Sequence, residues 1–286
     1  GKLFLDPGDV VLCESPSYLG ALNAFNAYQP KFVEVPTDNG GLSPEELDKI
    51  LETTPNCKFI YVIPDFQNPT GRTWSMERRQ KFMEVVNKHN LPVLEDNPYG
   101  ELRYEGTILP SLKSMDTKGL VMFLGTFSKI FCPGLRLGWI AAEHSLLSEF
   151  VKIKQSADLH TSNFDQGVAD AYMEQYDLDE HVKEIVALYK HRRDLILESM
   201  EKYFPAGTEW THPEGGLFLW LTFPEGVSAR KVFNKCIEMK VAGVIGDAFY
   251  PNQKTDRSMR INYSNMPDNR IVEGIQRMAK AIKECM

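Results

Sequence analysis

The chain contains the stretch Leu120-Val121-Met122-Phe123-Leu124-Gly125-Thr126-Phe127-Ser128-Lys129, in which an apolar run leads directly into two hydroxyl groups and an amine. Such a short, continuously apolar run is typical of a strand that is buried on both faces of a sheet. Three similar runs precede it, at Val10-Val11-Leu12-Cys13, Phe59-Ile60-Tyr61-Val62-Ile63 and Val93-Leu94. Helix-like segments lie between the runs, at Pro44–Leu51 behind the N-cap Ser43 and at Ser75–His89. This alternation predicts an α/β fold, in which a mostly parallel sheet is sandwiched between helices.

The character of the chain changes after Pro205. An amphipathic segment, Asp179–Tyr203, predicts a long helix that leads out of the sheet domain. Beyond it, strand-like and helix-like segments alternate, at 215–221, 228–239, 259–263 and about 268–286. We therefore predict a large sheet domain over residues 1–200 and a smaller C-terminal α+β domain over residues 201–286.

Composition and charge exclude several classes of protein. The net charge is −7 over 286 residues and no basic stripe is present, which argues against nucleic-acid binding. No apolar stretch is long enough to span a membrane. The five cysteines are scattered and never form C-x-x-C, a pattern typical of reduced thiols in a cytoplasmic protein without a zinc site. The histidines show no metal-ligand spacing either, so we expect no metal.

Polar side chains follow each of the four predicted strands. The segments are Ser15-Pro16-Ser17-Tyr18, Gln67-Asn68-Pro69-Thr70-Gly71, Glu95-Asp96-Asn97-Pro98-Tyr99 and Thr126-Phe127-Ser128-Lys129. Ligands of open parallel sheets bind just beyond the carboxyl ends of the strands, so these groups are expected to meet at one edge. A carboxylate, an amide, phenols, hydroxyls and an amine suit a flat, phosphorylated, nitrogen-containing aldehyde. A dinucleotide is disfavoured, because no G-x-G-x-x-G follows any strand.

With these segments the chain resembles the fold-type I (class I/II) pyridoxal-phosphate aminotransferases. The resemblance is closest to the branch that handles 2-aminoadipate, aromatic amino acids and kynurenine. Further matches are Pro133-Gly134-Leu135-Arg136-Leu137-Gly138-Trp139, Pro213-Glu214-Gly215-Gly216 and Arg260-Ile261-Asn262-Tyr263-Ser264. Each motif is weak alone, but together they occur in family order over the whole chain. The resemblance implies transfer of an amino group from an α-amino acid to a 2-oxo acid, with 2-oxoglutarate expected, by a homodimer that uses pyridoxal 5'-phosphate.

The resemblance also implies a role for each site residue. Lys129 would form the Schiff base with the cofactor and then carry the proton. Asp96 would pair with the pyridine nitrogen, and Tyr99 and Asn68 would bind the ring oxygen, with Asn68 also near the substrate. The remaining contacts would be made by Tyr18 over the ring, Thr126, Ser128 and Arg136 at the phosphate, and Arg260 at the substrate α-carboxylate.

Four questions stay open at this point. Gly1–Leu5 is typical of the last turn of a helix, and the resemblance implies further residues before Gly1, so we expect that the chain alone does not complete the site. A winged-helix transcriptional regulator with an aminotransferase-like sensor domain is one alternative function, and a pyridoxal-phosphate lyase is another. The pair Gly215-Gly216 is compatible with a hinge or with a hairpin turn. Phe249 and Tyr250 are expected to help decide which amino acid is accepted.

Overall fold

The structure, a computed structural model, describes residues 1–252 and 255–286. Its strands are β1 (Val10–Ser15), β2 (Lys31–Asp38), β3 (Gly41–Leu42), β4 (Cys57–Val62), β5 (Val93–Asp96), β6 (Val121–Thr126), β7 (Gly138–Ala141), β8 (Glu209–Trp210), β9 (Phe218–Thr222), β10 (Val244–Ile245) and β11 (Ser258–Asn262). Its α-helices are α1 (Leu19–Asn26), α2 (Pro44–Thr53), α3 (Met76–His89), α4 (His144–Asp158), α5 (Asn163–Gln175), α6 (Leu178–Tyr203), α7 (Ala229–Glu238) and α8 (Asp268–Cys285).

The larger sheet has seven strands in the order β3-β2-β1-β4-β5-β6-β7 among the described residues. The four predicted runs are β1, β4, β5 and β6, which are parallel neighbours in that order. The short edge strands β3 and β7 run antiparallel to their neighbours. The predicted α/β class and mostly parallel sheet are therefore confirmed.

Helices cover both faces of this sheet. On one face, α2 and α3 bury Leu47, Phe82 and Val86 against the apolar side chains of β1, β4 and β5. On the other face, α1 contributes Phe25, which packs edge-on against Phe59 of β4 with 5.1 Å between the ring centroids. The predicted N-cap Ser43 is confirmed, since its hydroxyl accepts from the Glu46 N–H. Ser75, the predicted first residue of the next helix, is instead its N-cap and accepts from the Arg78 N–H.

Three strands (β2, β3 and β7) and three helices (α1, α4 and α5) of this region were not predicted. Strand β2 contains three charged residues and Pro36, so it shows no continuous apolar run. Strand β7 has four residues, of which Gly138 and Trp139 are exposed. Helices α4 and α5 bury only Ala169 within this chain.

A second, antiparallel sheet has the order β10-β11-β9-β8 among the described residues. It packs against α7, α8 and the last turns of α6, whose Ile196 and Met200 belong to its core. The first half of α6 instead packs Val182 and Ile185 against a cluster beside the large sheet. The predicted helix from Asp179 to Tyr203 is thus confirmed as one that connects the two sheets. The boundary proposed at residue 200 lies inside α6, and the division into two domains stays a prediction.

The Gly215-Gly216 pair forms a tight, closely packed turn before β9. A Cβ atom on Gly215 would lie 2.3 Å from Cζ of Phe66 and 2.4 Å from the carbonyl oxygen of Leu102, so only glycine fits. Gly216 has φ of 73°, and the Tyr263 hydroxyl is 3.1 Å from the Gly215 carbonyl oxygen and 3.0 Å from that of Gly216. Close approach of the backbone therefore accounts for both glycines. Strand β9 begins at Phe218, three residues later than the sequence pattern suggested.

The described residues place further limits on the kind of site that is present. No helix among them combines the length and apolarity that a bilayer span requires. The same residues bring no three His, Cys, Asp or Glu side chains together in a way that could hold a metal ion. All five cysteines are free thiols, of which Cys13 and Cys236 are buried.

Replacing Arg79 by leucine is expected to destabilise the large sheet by about 3–5 kcal/mol, the usual cost of breaking a buried ion pair from one side. Arg79 is fully buried, lies 2.7 Å from the carboxylate of Asp65, and also donates to the carbonyls of Trp74 and Pro110. Denaturant unfolding would measure the change. Arg270 is exposed, so Arg270→Leu should unfold at nearly the same denaturant concentration as the wild type. Equal unfolding midpoints for the two variants would contradict the prediction.

Candidate active site

The four polar segments predicted from the sequence meet at the carboxyl edge of the large sheet. Strands β1, β4, β5 and β6 are neighbours, so the residues that follow them line one edge. Electrostatic interactions link their side chains to each other and to Arg260 of β11. The linked groups are Tyr18, Asn68, Asp96, Tyr99, Lys129, Arg136 and Arg260. The structure therefore brings these predicted residues together, from both sheets.

Asp96 ends β5, and its carboxylate is held by a residue that the sequence analysis did not select. The Tyr61 hydroxyl of β4 donates to Oδ2 of Asp96 at 2.5 Å. Burial raises the pKa of Asp96 to about 6, and the bond from Tyr61 opposes this rise. Burial and the nearby Asp96 in turn hold the pKa of Tyr61 well above its usual value, so the phenol keeps its proton. Asp96 is thus a partly buried carboxylate whose ionised form would be stabilised by a cation placed against it.

Asn68 connects the large sheet to the small one. Its Oδ1 accepts a hydrogen bond of 2.8 Å from the Arg260 guanidinium, and its Nδ2 donates to the Tyr99 hydroxyl at 3.4 Å. Asn68 and Tyr99 are both buried. Burial raises the pKa of Tyr99, and its bond with Asn68 lowers it. The phenol of Tyr99 therefore stays protonated and can donate a hydrogen bond into the site.

Arg260, on β11, has its guanidinium over two aromatic rings. Its guanidinium carbon lies 4.1 Å from the centroid of the Phe218 ring and 5.0 Å from that of Phe249. Partial burial lowers the pKa of Arg260, while Tyr99 and Tyr18 raise it. A guanidinium remains charged under such conditions, because its ordinary pKa exceeds 12. Stacking on the rings restricts the orientation of the guanidinium. Its remaining N–H groups can then bind a carboxylate in a bidentate manner.

Lys129 follows β6 in a turn that is organised by Thr126. The Thr126 hydroxyl lies 3.0 Å from the Ser128 hydroxyl, donates to the Leu137 carbonyl at 2.9 Å, and accepts from the Ser128 N–H at 3.1 Å. Lys129 is half-buried, and burial lowers the pKa of its amine, with Arg136 and Arg260 adding to the effect. The neutral amine is therefore more accessible near pH 7 than in an ordinary lysine, as a nucleophile or proton carrier requires.

Arg136 and Tyr18 are the more exposed members of the set. Arg136 adopts a left-handed conformation with φ of 55°, and its Nη1 donates to the Pro133 carbonyl at 3.2 Å. Tyr18 is 36% exposed and precedes the first residue of α1. Both side chains lie at the open side of the edge, where a ligand would contact them.

Sequence reasoning missed the residues that support the site from below. Tyr61 is paired with Leu94, so alternation places it on the same face as Asp96, but this register between β4 and β5 is not readable from the sequence. Glu14 and Gln67 also lie beneath the edge, and both are buried polar residues. Glu14 lies inside a run of apolar residues and turn residues, so its position in the sequence carries no signal either.

The chemistry of these groups fits a phosphorylated pyridine aldehyde. Asp96 supplies a partly buried carboxylate with a raised pKa for a ring N–H, and Tyr99 a phenol for a ring oxygen. Lys129 supplies an amine with a lowered pKa for an aldehyde. Hydroxyl groups and a guanidinium suited to a phosphate are present at Thr126, Ser128 and Arg136. The described residues therefore suit the group that the sequence analysis predicted.

Known proteins resemble the chain over its full length. A family profile described as aminotransferase class I and II matches residues 2–278. An aromatic-amino-acid aminotransferase from Thermococcus litoralis is 42% identical over 290 residues, which is 100% of this chain and 70% of the relative. A solved kynurenine aminotransferase from Pyrococcus horikoshii, in complex with PMP, has a TM-score of 0.96 and 41% identity over 99% of this chain and 71% of that one. An α-aminoadipate aminotransferase from Thermus thermophilus, complexed with N-(5'-phosphopyridoxyl)-L-leucine, has a TM-score of 0.95 and 33% identity over 99% and 73% of the two chains.

Relatives of a second kind are transcriptional regulators. An uncharacterized HTH-type transcriptional regulator from Bacillus subtilis is 29% identical over 277 residues, which is 97% of this chain and 57% of the regulator. The same fold region therefore occurs in proteins that are named as enzymes and in proteins that are named as regulators. Identity to the aromatic-amino-acid aminotransferase, at 42%, is markedly higher.

Replacing Tyr61 by phenylalanine is expected to raise the pKa of Asp96 above about 6, since the lost hydroxyl stabilises the ionised carboxylate. Carboxyl ¹³C NMR titration of the cofactor-free protein would measure the midpoint. Tyr28→Phe is the matched control, because Tyr28 packs in the same apolar cluster. A midpoint that stays in place or falls in Tyr61→Phe would mean that Tyr61 does not support the anion.

Proposed function

The chain belongs to the class I and II aminotransferase family and is an amino-group-transferring enzyme, and from this premise we propose that Lys129 carries pyridoxal 5'-phosphate while Arg260 binds the substrate α-carboxylate. The amino group passes from an α-amino acid to a 2-oxo acid, with 2-oxoglutarate as the acceptor. The protein acts as a homodimer, with residues 1–200 binding the cofactor and residues 201–286 contributing the substrate clamp.

One observation supports the proposal above all others, namely the chain of hydrogen bonds from Arg260 through Asn68 to Tyr99. These bonds join the Arg260 guanidinium on β11 to the Tyr99 phenol at the edge of the large sheet. The Arg260–Asn68 distance is 2.8 Å and the Asn68–Tyr99 distance is 3.4 Å. A substrate that is bound through its carboxylate at Arg260 would therefore have its α-carbon directed toward the edge that carries Lys129. An isolated surface arginine would not lie over two aromatic rings.

Lys129 is suited to hold and return a proton. When bound, the cofactor withdraws electrons from the Cα–H bond of the substrate and so makes that proton removable. The lowered pKa of the Lys129 amine leaves it neutral more often near pH 7, which lets it accept the proton from Cα and deliver it to the acceptor carbon. Arg136 and Arg260 repel the charged ammonium form and thereby favour proton release.

Asp96 and Tyr99 maintain the charge distribution that this proton transfer needs. The partly buried Asp96 carboxylate, with its pKa raised to about 6, becomes more favourable when a protonated ring nitrogen lies against it. Tyr61 holds the carboxylate in place by donating to Oδ2. Tyr99 and Asn68 would donate hydrogen bonds to a ring oxygen. Thr126, Ser128 and Arg136 would hold the phosphate.

Two other functions make different demands on the same residues. A lyase would form an oxo acid without a 2-oxo acid acceptor, so dependence of turnover on 2-oxoglutarate separates it from the proposed transferase. A sensor domain would bind the cofactor and an amino acid without sustained turnover. The identity of 42% to an aromatic-amino-acid aminotransferase, against 29% to a regulator, favours the enzyme.

Borohydride reduction of the cofactor-loaded protein is expected to attach the cofactor to Lys129 alone, as read by peptide mass spectrometry. Lys129→Ala should lose the label and about 10²–10⁴-fold of the rate, the usual contribution of a positioned acid-base group. Lys113→Ala is the control, because Lys113 pairs with Asp116 behind the sheet. Label on any other lysine, or a wild-type protein that takes up no pyridoxal phosphate, would refute the assignment.

Arg260→Lys is expected to raise KM for the amino acid roughly 10- to 100-fold, since a charge-assisted hydrogen bond is worth about 1.5–3 kcal/mol. Lysine keeps the charge but lacks the planar fork that stacks on Phe218. Steady-state kinetics with α-amino acids would measure the change. Arg257→Lys, beside the same strand, serves as the control. A fall in kcat at constant KM would assign Arg260 to a different step.

A further inference from the structure

A buried carboxylate lies beneath the two loops that carry Tyr18 and Asn68. Glu14, the fifth residue of β1, is 1% exposed. Its Oε2 accepts from the Ile63 N–H at 3.1 Å, and its Oε1 accepts from the Trp74 indole N–H at 3.2 Å. The proposed reaction does not use this group directly, although a buried carboxylate is costly and needs compensation.

The amide of Gln67 joins the two loops above Glu14. Its Nε2 donates to the Pro16 carbonyl at 2.8 Å and lies 3.5 Å from Oε2 of Glu14. Its Oε1 accepts from both the N–H and the hydroxyl of Thr70, at 2.9 and 2.7 Å. Gln67 is 2% exposed, so water does not compete for these bonds. One side chain thus holds residues 16–18, the first loop, against residues 67–71, the second loop.

Both loops also contact the C-terminal part of the chain. The Ser17 N–H of the first loop donates to the Phe249 carbonyl at 2.8 Å. In the second loop, Asn68 accepts from Arg260, and a Cβ on Gly71 would lie 2.5 Å from the Phe218 carbonyl oxygen. A shift of either loop would therefore move the residues that flank the proposed carboxylate clamp as well.

We infer that Glu14 and Gln67 form a positioning pair that fixes Tyr18 and Asn68 at the cofactor edge without touching the cofactor or the substrate. The inference rests on the proposed function for the roles of Tyr18 and Asn68. Tyr18 is two residues beyond Pro16, and Asn68 directly follows Gln67, so the bonds of the pair act on the backbone next to each of them.

The chemistry of the pair explains why position 14 holds an acid. Three N–H groups point at Glu14, from Ile63, Trp74 and Gln67. An ionised carboxylate is an acceptor only and can satisfy all three donors. A glutamine of the same size would turn an NH₂ group toward at least one of them. Glu14→Gln is therefore a small change in shape but a large change in hydrogen bonding.

The chain offers a matched control for a buried carboxylate. Glu95, the third residue of β5, is 0% exposed and accepts 2.8 Å bonds from the N–H groups of Leu112 and Lys113. Burial raises the pKa of Glu95 and of Glu14 alike, to about 7 in each case. The loop that Glu95 holds, however, carries none of the predicted site residues. Glu95→Gln should cost comparable stability while leaving the two loops in place.

Hydrogen exchange by mass spectrometry on the cofactor-free protein tests the first part of the inference. In Glu14→Gln and in Gln67→Met, peptides covering 16–18 and 67–71 should exchange at least tenfold faster than in wild type. Glu95→Gln should leave both peptides unchanged. Gln67→Met leaves Glu14 with two donors and is the milder change, so it decides the question if Glu14→Gln does not fold. If both loops of Gln67→Met exchange hydrogen at the wild-type rate, the inference is overturned.

Cofactor spectroscopy on the loaded protein tests the second part. The pH midpoint of the visible absorbance should shift in Glu14→Gln and Gln67→Met, and KM for the amino acid should rise at least threefold, with Glu95→Gln moving neither. If the two loops exchange hydrogen faster but the pH midpoint of the absorbance and KM are unchanged, the pair has only a structural role and the inference is overturned. A wild-type protein that binds no pyridoxal phosphate would instead overturn the proposed function, and the exchange data would still report whether the pair clamps the loops.

Discussion

The parallel pairing of β1, β4, β5 and β6 is the constraint on which the rest of the site depends. Because the four strands run in one direction, the segments that follow them emerge at a single edge. Groups that are far apart in the sequence, such as Tyr18 and Lys129, thereby come to line one site. Alternation along each strand then separates the groups by face, so Asp96 points to the site side with Tyr61 while Glu95 points to the opposite layer.

Burial of ionisable groups at this edge favours reactivity over stability. The pKa of Asp96 is raised to about 6 and that of Glu14 to about 7. For a carboxyl whose pKa is higher in the folded than in the unfolded chain, the contribution to stability is present at low pH and is lost as the pH rises through the folded pKa. The destabilisation therefore builds up from about pH 4 to about pH 6 for Asp96 and to about pH 7 for Glu14, and it is present in full at higher pH. A bound cation against Asp96 would recover part of that cost. Functional sites are often the least stable part of a fold for this reason.

The small sheet contributes one charged group, and its position depends on contacts across the two sheets. Arg260 is oriented by the rings of Phe218 and Phe249 and by the oxygen of Asn68. Helix α6 connects the two sheets because its ends belong to different apolar clusters. The closely packed turn at Gly215 then fixes where β9 begins, and with it the place of Phe218. The geometry of the substrate side therefore follows from packing between elements that are distant in the sequence.

The sequence alone determined the fold class, the four central strands, their helices and the residue types at the edge, because short apolar runs and N-cap residues are local signals. It also predicted roles for Lys129 and Arg260 through motifs that resemble a known family. Only the tertiary structure decided which groups support them. Tyr61 matters because strand register sets it beside Asp96, and Glu14 and Gln67 matter because loop packing encloses them. Edge strands and helices with exposed faces were missed, since a residue pattern records burial and these elements bury little within this chain.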